Sequence, residues 1–290
     1  MLHVIRLWTI FGLMAFCMAA PNRNLRDTVK LGASLFRDRA VNDDRFIDDL
    51  EEDRIIGGIE SIPHSRPYQV ALVRSGEFFC GGSLISKQYV ITAAHCVVDR
   101  IPNEKFEAIL GAHNILKEEE SQQKIEIEKR IKHEKYSRKT KENDIAIFKL
   151  AHPAELNDKV KLIQLAAQND HFLGKMCSVS GWGTSDDGML AEEGLRETDV
   201  PVISNEKCNA HISYGGEIAS KMMCAGYAKG GKDGCQGDSG GPLVCKNHQG
   251  DEVLGGVVSW GRGCAKPNYY GVYTRVDEYL EWIHSKISKS

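Results

Sequence analysis

The chain has 290 residues, 42% hydrophobic and 27% charged, which is ample for one large or two smaller cores. Its formal net charge of -3 excludes the strongly basic character of a general nucleic-acid binder, so no nucleic-acid partner is expected.

Met1 to Arg6 carries a cation, Leu7 to Cys17 is almost wholly apolar, and small residues follow at Ala19 and Ala20. That layout is a secretory signal, and the apolar run is too short to be a comfortable membrane span. Cleavage after Ala19 predicts a signal peptide over 1–19, a secreted, extracellular product and no membrane partner. Residues 20–54 are polar, charged and free of cysteine, and they read as a removable propeptide. Asp43, Asp44, Asp48, Asp49, Glu51, Glu52 and Asp53 crowd its end against one Arg45. The acidic run stops at Arg54, and Ile55, Ile56, Gly57 and Gly58 follow at once.

From Ile55 onward, short apolar runs alternate with glycine and polar turns. Gln69 to Val73, Tyr89 to Ala94, Asp144 to Leu150, Met176 to Ser180 and Val257 to Trp260 are of strand length, and their spacing predicts a sandwich or barrel. Lys129, Arg130, Lys132, Lys135, Arg138, Lys139 and Lys141 form a basic cluster before Asp144, read as a solvated surface in preference to a site for acidic ligands. Val276, Tyr279, Leu280, Ile283 and Ile287 share one face of a closing helix.

There are nine cysteines; with Cys17 in the signal, an even set of eight remains for an oxidising compartment. Four disulfides are expected, and the residues alone leave the pairing open. No C-x-x-C pair occurs, so a cysteine metal site is not expected. No N-x-S/T sequon occurs, so N-glycosylation is not expected.

Three stretches carry chemistry. Thr92-Ala93-Ala94-His95-Cys96 puts an imidazole at the end of a strand, and Asn143-Asp144-Ile145 puts a carboxylate at the start of one. Asp233 to Pro242 sets Ser239 in a loop crowded with glycine. Singly, each has a structural reading: a packed histidine, a strand cap, a tight turn. Together they meet a demanding requirement. A serine hydroxyl is a poor nucleophile until an adjacent base takes its proton, and a buried carboxylate must hold that base in the right tautomer. Glycines let main-chain N–H groups face a developing oxyanion.

IIGG at 55–58, TAAHC at 92–96, DIAIFKL at 144–150, GWG at 181–183, GDSGGP at 237–242 and SWGRGC at 259–264 stand in the order and spacing of one family. From Ile55 to the end, the chain resembles the trypsin/chymotrypsin family of serine endopeptidases. The resemblance implies an all-β fold of two packed six-stranded antiparallel barrels with a C-terminal helix, a protease domain over 55–290, and a cleft between the barrels. It implies Ser239 as nucleophile, His95 as general base and then acid, Asp144 as the orienting carboxylate, and Ser259 bonded to Asp144. The oxyanion hole falls to the N–H groups of Gly237 and Ser239. An inactive homologue acting as a binding protein is the alternative, and the full set of three residues speaks against it.

The resemblance places Asp233 at the floor of the primary pocket and Gly261 and Gly271 in its walls, which implies cleavage after Arg or Lys. Gly234 stands where trypsins commonly carry serine, so a lysine ammonium lacks an acceptor while an arginine fork still reaches Asp233; Arg is expected to be preferred. Arg54–Ile55 is the implied activation bond, cut by a trypsin-like protease or by the enzyme itself, and the new Ile55 ammonium is expected to pair with Asp238. Acidic activation peptides in trypsin precursors discourage self-activation, and the run before Arg54 implies such a brake. The implied disulfides are Cys80–Cys96, Cys177–Cys245, Cys208–Cys224 and Cys235–Cys264. Partners are protein or peptide substrates with Arg or Lys, and protein protease inhibitors. No cofactor is expected. In the loop Gly111 to Gln123 that holds calcium in many trypsins, Ala112 and Gln122 replace carboxylates and leave Glu119 alone, too few hard oxygens for the ion. Tyr270 stands where proline is frequent, a tyrosine that accompanies a sodium site in some relatives.

Overall fold

The computed structural model describes residues 58–98, 104–183, 194–234 and 238–288. The first half of this span holds β1 (Ile59–Glu60), β2 (Gln69–Arg74), β3 (Glu77–Ser86), β4 (Tyr89–Thr92), β5 (Phe106–Leu110), β6 (Gln123–Lys132) and β7 (Ala146–Leu150). Strands β2 to β7 close into a barrel in the order β2-β3-β4-β7-β6-β5, every neighbour antiparallel.

The second half holds β8 (Gln164–Leu165), β9 (Met176–Gly181), β10 (Arg196–Ile203), β11 (Met222–Ala225), β12 (Pro242–Lys246), β13 (Glu252–Trp260) and β14 (Gly271–Arg275). The path β10-β11-β14-β13-β12-β9 returns to β10 through the β9–β10 pairing, so this sheet is a second closed six-stranded antiparallel barrel. Two short strands lie outside the ring: β1 pairs with β10, and β8 runs parallel to β13.

Alternation along the strands sorts side chains between the cores. In β6, Ile125 and Ile127 are buried while Lys124, Glu126 and Glu128 face water, the period of two that a half-exposed strand requires. Strand β2 is buried on both faces. Val70 and Leu72 enter the first barrel, whereas Ala71 and Val73 pack outward with Trp182 and Leu195. Val276, Tyr279 and Ile283, at the end of the chain, join the first barrel's core and tie the second half back onto the first. Among the described residues no helix is long and apolar enough to cross a membrane.

Three expected boundaries shift, each for a local reason. Strand β4 ends at Thr92, whose partner Ala146 is the first residue of β7, so no ladder remains beyond it. His95 therefore lies in a 3-10 turn, Ala94–Cys96, and not in the strand itself. Asp144 and Ile145 precede β7, because Asn143 takes φ 56° and turns the chain just before them. The closing helix begins as a 3-10 turn, Val276–Tyr279, and becomes α-helical only over Leu280–Ile287. The tighter turn eclipses residues three apart, and Val276 and Tyr279 are both buried there.

Candidate active site

Asp144 is completely buried, and its carboxylate accepts three hydrogen bonds. The His95 amide reaches Oδ1 at 2.9 Å, the His95 ring Nδ1 reaches Oδ2 at 2.7 Å, and the Ser259 hydroxyl reaches Oδ2 at 2.5 Å. A carboxylate only accepts, so Nδ1 carries the ring proton and Nε2 is left as the acceptor. The Thr274 hydroxyl donates to the Asp144 main-chain oxygen at 2.8 Å, fixing the backbone as well. Thr274 carries no sequence signal; only the approach of β14 brings it there.

Ser239 belongs to the second half of the chain but is stitched to the first. Its main-chain oxygen accepts from the Gly81 amide at 2.8 Å and lies 3.7 Å from Cys96 Sγ, beside the turn that holds His95. The next residue, Gly240, has φ +80°, and a Cβ on it would fall 2.1 Å from Thr92 Oγ1 and 2.7 Å from the Gly81 oxygen. Only glycine permits that approach. Asp238, 1% exposed, accepts from the Gly183 amide at 2.9 Å, and a Cβ on Gly181 would fall 2.0 Å from its Oδ1.

Beside Ser239 opens a cavity of about 130 Å³ whose lining includes Asp233, Ser239, Gly261 and Gly271. Asp233 is 3% exposed, accepts from the Ala265 amide at 3.2 Å through Oδ2, and has no partner for Oδ1 among the described residues. Burial pushes its carboxyl up to about 7, against which the Ala265 and Gly234 amides pull down. A Cβ on Gly271 would stand 2.5 Å from Asp233 Oδ1 and 3.0 Å from the Tyr273 hydroxyl, so glycine keeps the floor open. At Gly234 a Cβ would meet Val179 Cγ2 at 3.3 Å. The rim is aromatic: Tyr214 packs edge-on against Trp260 and Tyr269, and Arg262 lies over the Tyr214 and Tyr269 rings. Sequence reasoning missed this rim, because Tyr214 is far from the pocket in the chain.

The structure closes Cys80–Cys96, Cys177–Cys245 and Cys208–Cys224. Cys264 is also disulfide-bonded, and its expected partner Cys235 lies outside the described residues. So do Gly237, Arg54 and Ile55.

The loop from Gly111 to Gln123 does not fit calcium. Both Glu119 oxygens accept from main-chain amides, those of His113 at 2.8 Å and Asn114 at 3.0 Å. The Gln122 amide donates to the Asn114 and Lys117 carbonyls, at 2.9 and 2.8 Å. These oxygens face N–H donors, where a cation would need them free.

Two closed barrels, a buried Asp144 carboxylate that takes the His95 ring, and a Ser239 main chain bonded to Gly81 fit the class of the two-barrel serine hydrolases. The family described as Trypsin matches residues 55–283. A trypsin of Squalus acanthias is 44% identical over 82% of this chain and 98% of its own. Serine protease 1 of Homo sapiens is 46% identical over 82% and 91%, and Trypsin-3 of Salmo salar is 45% identical over 84% and 97%. The chain belongs to the trypsin family and is a serine endopeptidase.

Proposed function

We propose that this protein is made as a secreted zymogen, with a signal peptide over 1–19, a propeptide over 20–54 and a protease over 55–290. Activation cuts Arg54–Ile55, and the mature enzyme hydrolyses peptide bonds after Arg, and less readily after Lys. The observation that carries the specificity is Asp233: a buried carboxylate lining a narrow cavity, with one oxygen unpartnered among the described residues. Such a group is poorly solvated when the cavity is empty and gains strongly from an incoming cation. The arginine fork can engage it bidentately where a lysine ammonium cannot.

Ser239 Oγ attacks the scissile carbonyl as His95 Nε2 takes its proton. Asp144 holds Nδ1–H and stabilises the imidazolium, and Ser259 keeps the Asp144 carboxylate aligned. The N–H groups of Gly237 and Ser239 receive the oxyanion. His95 then returns the proton to the leaving amine, whose C–N bond breaks to leave the acyl-enzyme. Water, deprotonated by His95, hydrolyses that ester and frees Ser239. On activation, the new Ile55 ammonium enters beside Ser239 and pairs with Asp238, which offsets the cost of burying either charge alone. Protein inhibitors that present Arg or Lys compete for the same pocket.

The test is to secrete the zymogen, cut it after Arg54 and profile peptide cleavage beside a Ser239→Ala control. Turnover of the control should fall on the order of a millionfold, as in a convergent triad. Activity surviving in the control refutes the nucleophile, and equal kcat/KM on matched Arg and Lys peptides refutes the Arg preference. Replacing Asp238 with Asn should leave a cut but largely inactive protein.

A further inference from the structure

The second barrel has a cavity against each end of β14. The Asp233 pocket is lined by its first residues, Gly271, Val272 and Tyr273. A separate cavity of about 470 Å³ is lined by its last, Arg275, and the two cavities share no lining residue. At this second end β10 finishes at Ile203, β11 begins at Met222 and β9 begins at Met176. The cavity is therefore a barrel mouth, and its volume falls within the range of about 300–1,000 Å³ common to small-molecule sites.

Its wall is apolar and built in advance. Phe172, Val202, Met222 and Met223 are buried, Ile203 is half-buried, and Leu173 is 66% exposed. The loop that carries Phe172 and Leu173 is tied to β10: the Gly174 amide donates to the Val202 oxygen at 2.9 Å, and the Val202 amide donates to the Lys175 oxygen at 3.0 Å. Asn205 Nδ2 donates to the Ala219 and Met222 oxygens, at 3.2 and 2.9 Å, and holds the start of β11. A wall fixed in this way lowers the ordering cost of binding. Leu173 gains from an apolar body laid against it, since that removes its surface from water.

The polar lining favours an acceptor. Its one acid, Asp170, is buried and already engaged, accepting from the Ala167 amide at 2.8 Å and lying 3.3 Å from His248 Nδ1. Its guanidinium, Arg275, gives Nε to Asp277 at 3.3 Å and Nη2 at 2.6 Å. A guanidinium has five N–H donors, so Nη1 keeps its own without a partner among the described residues. A planar donor pair of this kind matches a carboxylate.

We propose that this cavity binds a small amphipathic anion, an aliphatic chain with a carboxylate head. The chain lies along Phe172, Val202, Met222 and Met223, and the head accepts from Arg275. The site is independent of the Arg specificity, because it draws on none of the residues of the Asp233 pocket.

Calorimetric titration of the full chain with decanoate, below its micelle concentration, tests this. Decanoate should bind one to one and saturably, and decanol, with the same chain and a neutral head, about tenfold more weakly. Octanoate should lose up to about fifteenfold, the worth of two methylenes. Arg275→Gln should bring decanoate down to the level of decanol and leave decanol unchanged. Because that variant also strips Asp277 of its partner, Leu173→Glu provides a second probe at an exposed position, and it should weaken both ligands about tenfold. No saturable binding, or equal affinity for decanoate and decanol in the native chain, would overturn the proposal. So would binding that both variants leave intact, or binding that vanishes when benzamidine fills the Asp233 pocket. A dimer in sedimentation that Leu173→Glu dissolves, with no decanoate bound, would also overturn it and assign the cavity to a second copy of the chain.

Discussion

Asp144 and Asp233 are both withdrawn from water, at 0% and 3% exposure, yet their surroundings are opposite. Around Asp144, three donors from His95 and Ser259 take up the carboxylate, and Thr274 takes its main-chain oxygen. Around Asp233, the Ala265 amide serves Oδ2 at 3.2 Å, and Oδ1 has no partner among the described residues, beside a cavity. A carboxylate whose acceptors are filled by the protein positions a neighbour. One left half-satisfied against a cavity is placed to accept a partner from a ligand, which is the specificity proposed above. The carboxyl of Asp233 accordingly rises to about 7 through burial.

The sharpest way to break this contrast is Asp144→Asn, which keeps the shape and reverses the hydrogen-bond polarity at one position. The corresponding change in a family member costs about ten-thousandfold in kcat, and a similar loss is expected here with KM little changed. Steady-state kinetics on an Arg peptide reads it. Gly271→Ala attacks the other carboxylate, since its Cβ would press on Asp233 Oδ1 at 2.5 Å. Arg and Lys peptides should both lose about a hundred- to thousandfold in kcat/KM, the scale of breaking a buried charge pair. A variant of normal activity would mean that the arginine does not reach Asp233.

A pH series sharpens the comparison further. With a folded value near 7 against an ordinary 3.8, native Asp233 holds a proton that the unfolded chain has already lost between those values. Stability of the ligand-free enzyme should therefore fall as pH rises through about 4 to 7, by this group's contribution. Thermal unfolding of the wild type against Asp233→Asn should show the wild type losing ground across that window. Over the same window a guanidinium inhibitor should bind more tightly as pH rises, because the charged carboxylate is its partner. The smallest effect belongs to Gly234→Ser. The added Cβ meets Val179 at 3.3 Å, and the hydroxyl gives a lysine an acceptor, so the Arg-over-Lys ratio should shrink by a few-fold.

Much of the site was legible because its chemistry demands particular residues within short stretches. TAAHC, Asp144 with its flanking strand, and the glycine-crowded loop around Ser239 all announce themselves locally. The strand runs were legible for the same reason, since β-branched and aromatic residues stand between glycine and polar turns. Boundaries were less so. His95 lies in a 3-10 turn because β7 runs out opposite Thr92, and that is a property of the partner strand. Thr274, Tyr214 and the rim over which Arg262 lies carried no local signal, because their roles arise where distant segments meet.

The residue set is written in the chain itself: a serine, a histidine and an aspartate with the glycines that allow close approach, and an acidic run ending at Arg54. Which of its many polar groups stay unsatisfied depends on how the elements pack together. Among the described residues Asp233 Oδ1 lacks a donor because the surrounding elements, once packed, commit the nearby groups elsewhere. The balance of donors and acceptors belongs to the whole fold, since each partner comes from a different strand or loop, and no stretch of chain contains it.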